Sequence, residues 1–400
     1  MTQLLAGAAT PDRDGAAACG SETLASATAS LNSWIEVDLD ALAHNAGALR
    51  SFVSPSELIA VVKANAYGAG IRGVAPALEN AGVDRFAVVW VQEAVELRAL
   101  GVSRPILVLG HANESDIPVV LQYDITLTCD TLALGRKLAA DAFAAGKRAK
   151  VHIHVDTGLH RDGLTPDAAI RLAQALRDLP GLDVEGLSTH MANADEADDS
   201  FSGEQEAAFA AVCDALPWIR YRHAANSATA LRRPGARLTG VRVGLALHGV
   251  QPDFTPEAGL RPVLQLKSHL IRIVDVAPGE GASYGLTWRA GRPSRLGLVP
   301  VGYADGWRRG LGNTGHVLVR GIPCPMVGRV CMDQFLVDVT DVQGAATGDE
   351  AVLIGAQGAA EITAEAVART AGTIPWDVLS SLQARLPRLF HRDGIVETRQ

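Results

Sequence analysis

The chain has 400 residues, 48% hydrophobic and 20% charged, enough to bury the cores of about two domains. Its formal net charge is −8 and no basic run is visible, which argues against a general nucleic-acid binder. The longest apolar stretches fall short of a membrane span, and the five cysteines (Cys19, Cys129, Cys213, Cys324, Cys331) form no CxxC pair, as expected of reduced thiols in a cytoplasmic protein.

Residues 1–30 are rich in Ala, Ser, Thr and Gly. They lack the basic start and continuous apolar run of a secretory signal, and read as a disordered extension. Asp38-Leu39-Asp40 then offers a cap for a helix running to about Arg50. Short apolar runs recur at 57–63 (ELIAVVK), 85–90, 105–110, 125–129, 150–156 (KVHIHVD), 184–190, 221–227 and 241–249. Most are separated by segments such as VQEAVELRAL and PDAAIRLAQALRDL, whose apolar residues recur at three and four. The alternation predicts an α/β fold, a (β/α)8 TIM-like barrel over residues 31–262. A doubly wound open sheet competes, but the glycine fingerprint of a dinucleotide-binding turn is missing after the first strand. From 263 to 400 the runs shorten, with Gly, Pro and Asp turns between them, and predict a β-rich C-terminal domain with helices near 363–371 and 375–385.

A barrel carries its site at the carboxyl ends of its strands. There the sequence places Lys63 with Tyr67 beyond it, then Arg161, His190, Asn226 and Ser227, and Arg242 with Gly244. Each has a bland reading: a snorkelling surface lysine, a surface arginine, a satisfied core histidine, a helix N-cap serine. Arg242 stands apart, because unpaired burial in an apolar strand is expensive. NSAT and RVG fall after the seventh and eighth strands, where barrels commonly hold phosphate. A reactive amine, a phosphate cradle and two arginines together suit pyridoxal phosphate. The β-rich part adds GASYGLTW (Tyr284), PVGYADGW (Tyr303, Asp305) and GRVCMDQ (Arg329, Met332, Asp333), to which spacing alone assigns no role.

The ordered blocks VVKANAYGAG, VDTGLHRDG, STHMANADE, NSAT, VRVGLALHG, ASYGLTW, VGYADGW and GRVCMDQ resemble those of the bacterial alanine racemases, the fold type III pyridoxal-phosphate family. The resemblance implies a cytoplasmic homodimer with shared active sites, interconverting L- and D-alanine to supply D-alanine for peptidoglycan. It implies that Lys63 carries the cofactor and works on one face of the substrate Cα, with Tyr284 of the partner subunit on the other. His190 would orient that tyrosine and contact Arg242, and Arg242 would face the pyridine nitrogen. Arg161 and the Met332 backbone N–H would hold the substrate carboxylate. Tyr67, Ser227, Gly244 and Leu245, with Asn226 beside them, would hold the phosphate. Asp195, Tyr303, Arg308, Arg309 and Arg329 would line the access route, and no metal is implied.

Two positions depart from the family pattern. His154 stands where many members carry a carbamylated lysine bonded to the carboxylate-binding arginine, and Ala384 where many carry a tyrosine near the phosphate. Period two puts His152, His154 and Asp156 on one face of their strand, so His154 is expected to be neutral and Arg161 less tightly held. The rival functions are a broad-specificity racemase or D-amino-acid aldolase of the same fold, and a non-catalytic pyridoxal-phosphate-binding protein. The Tyr284 block favours two-base racemisation, and no clear His/Asp/Cys ligand cluster supports the metal an aldolase needs.

Overall fold

The structure, a computed structural model, describes residues 22–400. Strand β1 (Ser33–Asp38) leads into the helix Leu39–Val53, capped by the Asp38 carboxylate, which accepts from the Asp40 and Ala41 N–H groups at 2.9 Å. Eight parallel strands follow: β2 (Glu57–Val61), β3 (Arg85–Val88), β4 (Ile106–Val108), β5 (Ile125–Thr128), β6 (Ala149–His154), β7 (Leu182–Ser188), β8 (Tyr221–His223) and β9 (Gly240–Val243). They pair in chain order from β2 to β8, and β9 pairs with β2. The gap between β8 and β9 is bridged by Thr239 N–H to Arg222 O at 3.0 Å and Arg242 N–H to Ala225 O at 2.9 Å, so the sheet is a nearly closed barrel.

Alternation along β2 explains the packing. Leu58, Ala60 and Val62 join the apolar layer between barrel and helices, while Ile59 and Val61 face inward with Tyr67, Ala87, Leu107 and Tyr221. The inward positions of β6 are polar, His152 and His154, and its Val151 and Ile153 are buried in the outer layer.

The remaining strands are β10 (Leu264–His269), β11 (Arg272–Val276), β12 (Gly281–Ala282), β13 (Trp288–Arg289), β14 (Ser294–Val299), β15 (His316–Val319), β16 (Ile322–Val327), β17 (Phe335–Asp338), β18 (Glu350–Gln357), β19 (Ala360–Ile362), β20 (Arg388–Arg392) and β21 (Ile395–Arg399). Apart from the β12–β13 pair they form one large sheet, and β1 belongs to it, antiparallel to β10 and parallel to β20. The first strand therefore departs from the expected barrel span of 31–262. It is buried on both faces: Ile35 and Val37 enter the main core, while Trp34 packs with Ala27, Leu389 and Val396.

The expected disordered extension needs a matching correction. Residues 1–21 lie outside the described residues, but Leu24–Thr28 is a helical turn capped by Thr23. Leu24 N–H donates to Gly394 O at 2.8 Å, and Val396 N–H donates to Glu22 O at 2.9 Å. The segment is ordered because it covers Trp34 and the outer edge of the sheet.

Candidate active site

Lys63 follows β2, and the chain turns there in an unusual way. Ala64, Asn65, Ala66 and Tyr67 all have φ of 53–55°, a left-handed turn built from non-glycine residues. Such residues cost about 1–2 kcal/mol each in this conformation, so the surroundings must hold it. The Glu93 carboxylate accepts from Ala64 N–H at 2.7 Å, and Asn65 Oδ1 accepts from Ile71 N–H at 2.9 Å. Arg388 donates to Gly68 O twice, at 3.0 and 3.1 Å. A Cβ on Gly68 would fall 2.1 Å from Leu379 O, so the turn lies directly against the helix Pro375–Ser380. Burial, then the charge of Arg161, lowers the Lys63 pKa from its ordinary value despite the opposing Glu93 carboxylate.

Arg242, in β9, is 5% exposed and has no carboxylate among its hydrogen-bond partners. Nη1 donates to His223 Nδ1 and His223 O at 2.7 and 2.9 Å. Nη2 donates to Thr189 O, His190 Nδ1 and Ala224 O at 2.7, 3.1 and 3.1 Å. Among the described residues no partner is placed on its Nε. Burial and then Arg161 pull its pKa down to about 10. Burial, followed by Arg242 and Arg161, pushes His190 well below the usual histidine range, so it is a neutral ring.

The rim beside Lys63 and Arg242, where β9 pairs with β2, is a close-packed cradle. A Cβ on Gly244 would fall 2.1 Å from Tyr67 Oη, so only glycine lets that hydroxyl approach the backbone. Gly244 N–H donates to Ser227 Oγ at 3.3 Å, and Leu245 opens the short 3-10 turn beyond. Asn226 caps the helix Ser227–Arg232 through Oδ1, 2.9 Å from Thr229 N. Burial raises the Tyr67 pKa and keeps the phenol protonated, a hydrogen-bond donor.

These residues fit pyridoxal phosphate. An amine with a depressed pKa meets the aldehyde, the Tyr67–Ser227–Gly244 cradle has the donors and the glycine clearance for a phosphate, and Arg242 offers a guanidinium N–H to a ring nitrogen. Lys63, Arg161 and Arg242 make the mouth cationic, as an anionic cofactor and a carboxylate substrate require.

The second group of expected residues lies elsewhere in the chain. Tyr284 is 70% exposed, beside Ser283, whose hydroxyl donates to Arg329 O at 2.7 Å. The Arg329 guanidinium lies against Gly285. The segments that carry Tyr303 and Met332 pair through their backbones: Tyr303 N–H donates to Cys331 O and Ala304 N–H to Met332 O, at 3.1 and 2.9 Å. Asp333 pairs with Arg385 at 2.7 Å, and Arg385 also holds the buried Asp305. Arg308 pairs with Asp377, at the helix that covers the Lys63 turn, and Arg309 begins a short 3-10 turn. Asp195 is half-buried in the loop after β7. Arg161 is largely exposed and pairs with Asp162 at 3.1 Å, not with His154.

Ala384 is exposed on the loop before β20, and Trp376 packs against the cluster that holds Tyr67. Sequence reasoning also passed over Glu93, His223, Glu185 and Arg388, and gave His152 a strand face but no role. Glu93 carried a signal, a carboxylate three residues past the helix N-cap Trp90, where capping carboxylates sit. The three barrel residues gain meaning only across the barrel, and Arg388 only where β20 meets the Lys63 turn.

Comparison with known proteins bears on the family of the chain. The family profile "Alanine racemase, N-terminal domain" matches residues 37–252, and "Alanine racemase, C-terminal domain" matches 263–390. A protein of Halothermothrix orenii named alanine racemase is 40% identical over 366 residues, 89% of this chain and 96% of its own. The alanine racemase of Bacillus anthracis, solved with bound L-Ala-P, superposes with a TM-score of 0.84 at 36% identity, covering 92% of this chain and 97% of that one. The enzyme of Bartonella henselae, solved with covalently bound pyridoxal phosphate, gives 0.83 at 30% identity, covering 90% and 99%.

Proposed function

The chain belongs to the alanine racemase family, a pyridoxal-phosphate-dependent enzyme interconverting L- and D-alanine, and from that premise we propose which residues do the work. When bound, the cofactor supplies the electron sink that makes the alanine Cα proton removable. Lys63 holds the cofactor and moves a proton on one face of Cα. Its depressed pKa leaves more of the neutral amine that either task requires. Tyr284 of the partner subunit serves the other face. Two bases on opposite faces let the enzyme lose a proton from one side and regain it from the other without turning the substrate.

His190, neutral and anchored on Arg242, orients Tyr284 of the partner subunit. Arg161 and the Met332 N–H bind the substrate carboxylate. Tyr67, Ser227, Gly244 and Leu245 bind the phosphate, with Asn226 shaping the turn. A cation at Arg242, with no carboxylate partner, disfavours protonation of the ring nitrogen. Asp195, Tyr303, Arg308, Arg309 and Arg329 line the access route. The barrel unit ends near 262 and the β-rich unit follows, and we place the enzyme in the cytoplasm as a homodimer supplying D-alanine for peptidoglycan. Among the described residues no helix is long and apolar enough to cross a membrane.

The observation that carries the residue assignment is the meeting of a partly desolvated lysine with a glycine-gated cradle at one barrel mouth. The test is alanine interconversion by the purified protein together with borohydride fixation. Lys63→Ala is expected to abolish both racemisation and covalent retention of the cofactor. Retention at full yield in that variant would move the cofactor off Lys63.

A further inference from the structure

Behind Arg242 the barrel interior carries a line of polar side chains that the scheme above does not use. His223 Nδ1 is 2.7 Å from Arg242 Nη1, and His223 Nε2 is 2.8 Å from His152 Nδ1. His152 Nε2 is 2.9 Å from Glu185 Oε2. The same Glu185 oxygen accepts from Arg85 Nη1 at 2.8 Å, and Arg85 Nε reaches Glu57 Oε2 at 2.9 Å. The Tyr221 hydroxyl donates to that Glu57 oxygen at 2.7 Å. Glu57, Arg85 and Tyr221 are the first residues of their strands, so the line spans the barrel from its closed end to the site.

The two ends dictate the protons between them. A guanidinium has donors only, so His223 Nδ1 is a bare acceptor and a neutral ring carries its proton on Nε2. That N–H points at His152 Nδ1, which is then bare as well. The His152 proton sits on Nε2, against the carboxylate. Reversing the sequence would set an N–H of His223 against an N–H of Arg242. Burial, with Arg242 next in importance for His223, keeps both rings neutral. Burial opposes ionisation of Glu185, but His152 and Arg85 outweigh it and hold the carboxyl near 2. Space for the line is built in, since a Cβ on Gly186 would fall 2.8 Å from the His152 ring.

We infer that Glu185 is a positioning residue: through His152 and His223 it forms a one-way relay that fixes the proton positions around Arg242. The consequence reaches the site through the other guanidinium nitrogen. Nη2 donates to His190 Nδ1, which leaves the His190 proton on Nε2. Under the proposed function, that is the nitrogen offered to Tyr284 of the partner subunit. The tautomers follow from the relay alone, while their effect on racemisation rests on that function.

Neutron diffraction from perdeuterated crystals of the pyridoxal-phosphate-loaded enzyme tests the relay directly. Deuterium is expected on Nε2 of His152 and His223 and absent from both Nδ1 atoms. A deuteron on either Nδ1 overturns the relay. Two variants then test positioning. In Glu185→Gln one amide oxygen still accepts from His152 and Arg85, so both tautomers persist and kcat for alanine stays within about 2-fold. Glu185→Leu removes the acceptor, and kcat is expected to fall about 10-fold, KM to change less than about 3-fold, and the bound cofactor to remain stoichiometric. A Leu variant with wild-type kcat, or a Gln variant as impaired as Leu, refutes the positioning role. The wild-type deuteron positions and the Gln variant decide the matter even if the Leu variant does not fold. Failure of the wild-type protein to racemise alanine would overturn the proposed function and leave the deuteron test intact.

Discussion

His154 is held by a 2.9 Å hydrogen bond between its Nδ1 and Ser188 Oγ, and burial followed by the Arg242 charge pulls its pKa to about 4. It is therefore neutral at pH 7 and brings no anion to Arg161, whose Nε is taken by Asp162. A carbamate at this position would offer charge-assisted acceptors that a neutral imidazole lacks. His154→Lys is expected to gain the mass of carbon dioxide in alkaline bicarbonate and to lower the KM for alanine by about 10-fold. The wild-type enzyme should ignore bicarbonate depletion. Added mass with an unchanged KM would show that position 154 does not tune Arg161. His152, His223 and His248 are buried and His154 and His190 half-buried, all with lowered pKa values, so the folded chain binds their protons later than the unfolded chain does. Unfolding takes up protons in that window. Stability is thus fully present above the unfolded value of about 6.5 and is lost as pH falls toward 4, by up to about 3 kcal/mol for His154 alone. Urea midpoints at fixed protomer concentration should drop steeply from pH 7 to 4.5, and His154→Asn should flatten that slope by about one proton.

The turn Lys63–Tyr67 is the element on which the site depends, and its geometry is not locally favourable. Arg388, 1% exposed, donates to the carbonyls of Gly68, Leu382, Gln383 and Leu386. The guanidinium charge is met by carbonyl dipoles, and the same side chain joins β20 to the far side of the lysine turn. Arg388→Met should strip these carbonyls of their donor, cost on the order of 3 kcal/mol, and speed loss of pyridoxal phosphate on dialysis. Arg388→Lys should recover only part, because an ammonium cannot span the same acceptors. A Met variant with wild-type midpoint and cofactor retention would show that the turn is held by other contacts. The strand ending in Lys63 was legible from its apolar run. The left-handed turn was not, because Ala, Ala and Tyr carry no local mark of a positive φ and a single Asn tolerates one without requiring it.

In the whole molecule, Tyr284, Leu286, Tyr303 and Met332 are exposed large side chains at 70, 51, 43 and 54%, all in the β-rich part. The homodimer proposed above, which passes Tyr284 to the other barrel mouth, would cover this surface. The test is complementation. Lys63→Ala and Tyr284→Phe homodimers should each be inactive. After subunit exchange, half of the dimers are mixed and each has one intact site, so activity should return to about one quarter of wild type. Verified exchange without recovery would place both bases on one chain.

The order of strands and helices, the β-rich second part and the identity of the chemical groups were determined by the sequence itself. Apolar periodicity and strand-end position are local properties, visible in ELIAVVK and KVHIHVD without neighbours. Tertiary structure decided the rest. Ser33–Asp38 joined the second sheet because both its faces find cover there, and Leu24–Thr28 became ordered because Trp34 and β21 lie beneath it. Trp376 joined the cluster that holds Tyr67 because the helix Pro375–Ser380 packs over the barrel mouth. His152, His223 and Glu185 read singly as core polar residues. Their meaning appears when β6, β7 and β8 set them within hydrogen-bond reach of one another and of Arg242, since proton placement depends on which donor faces which acceptor and no single strand records that.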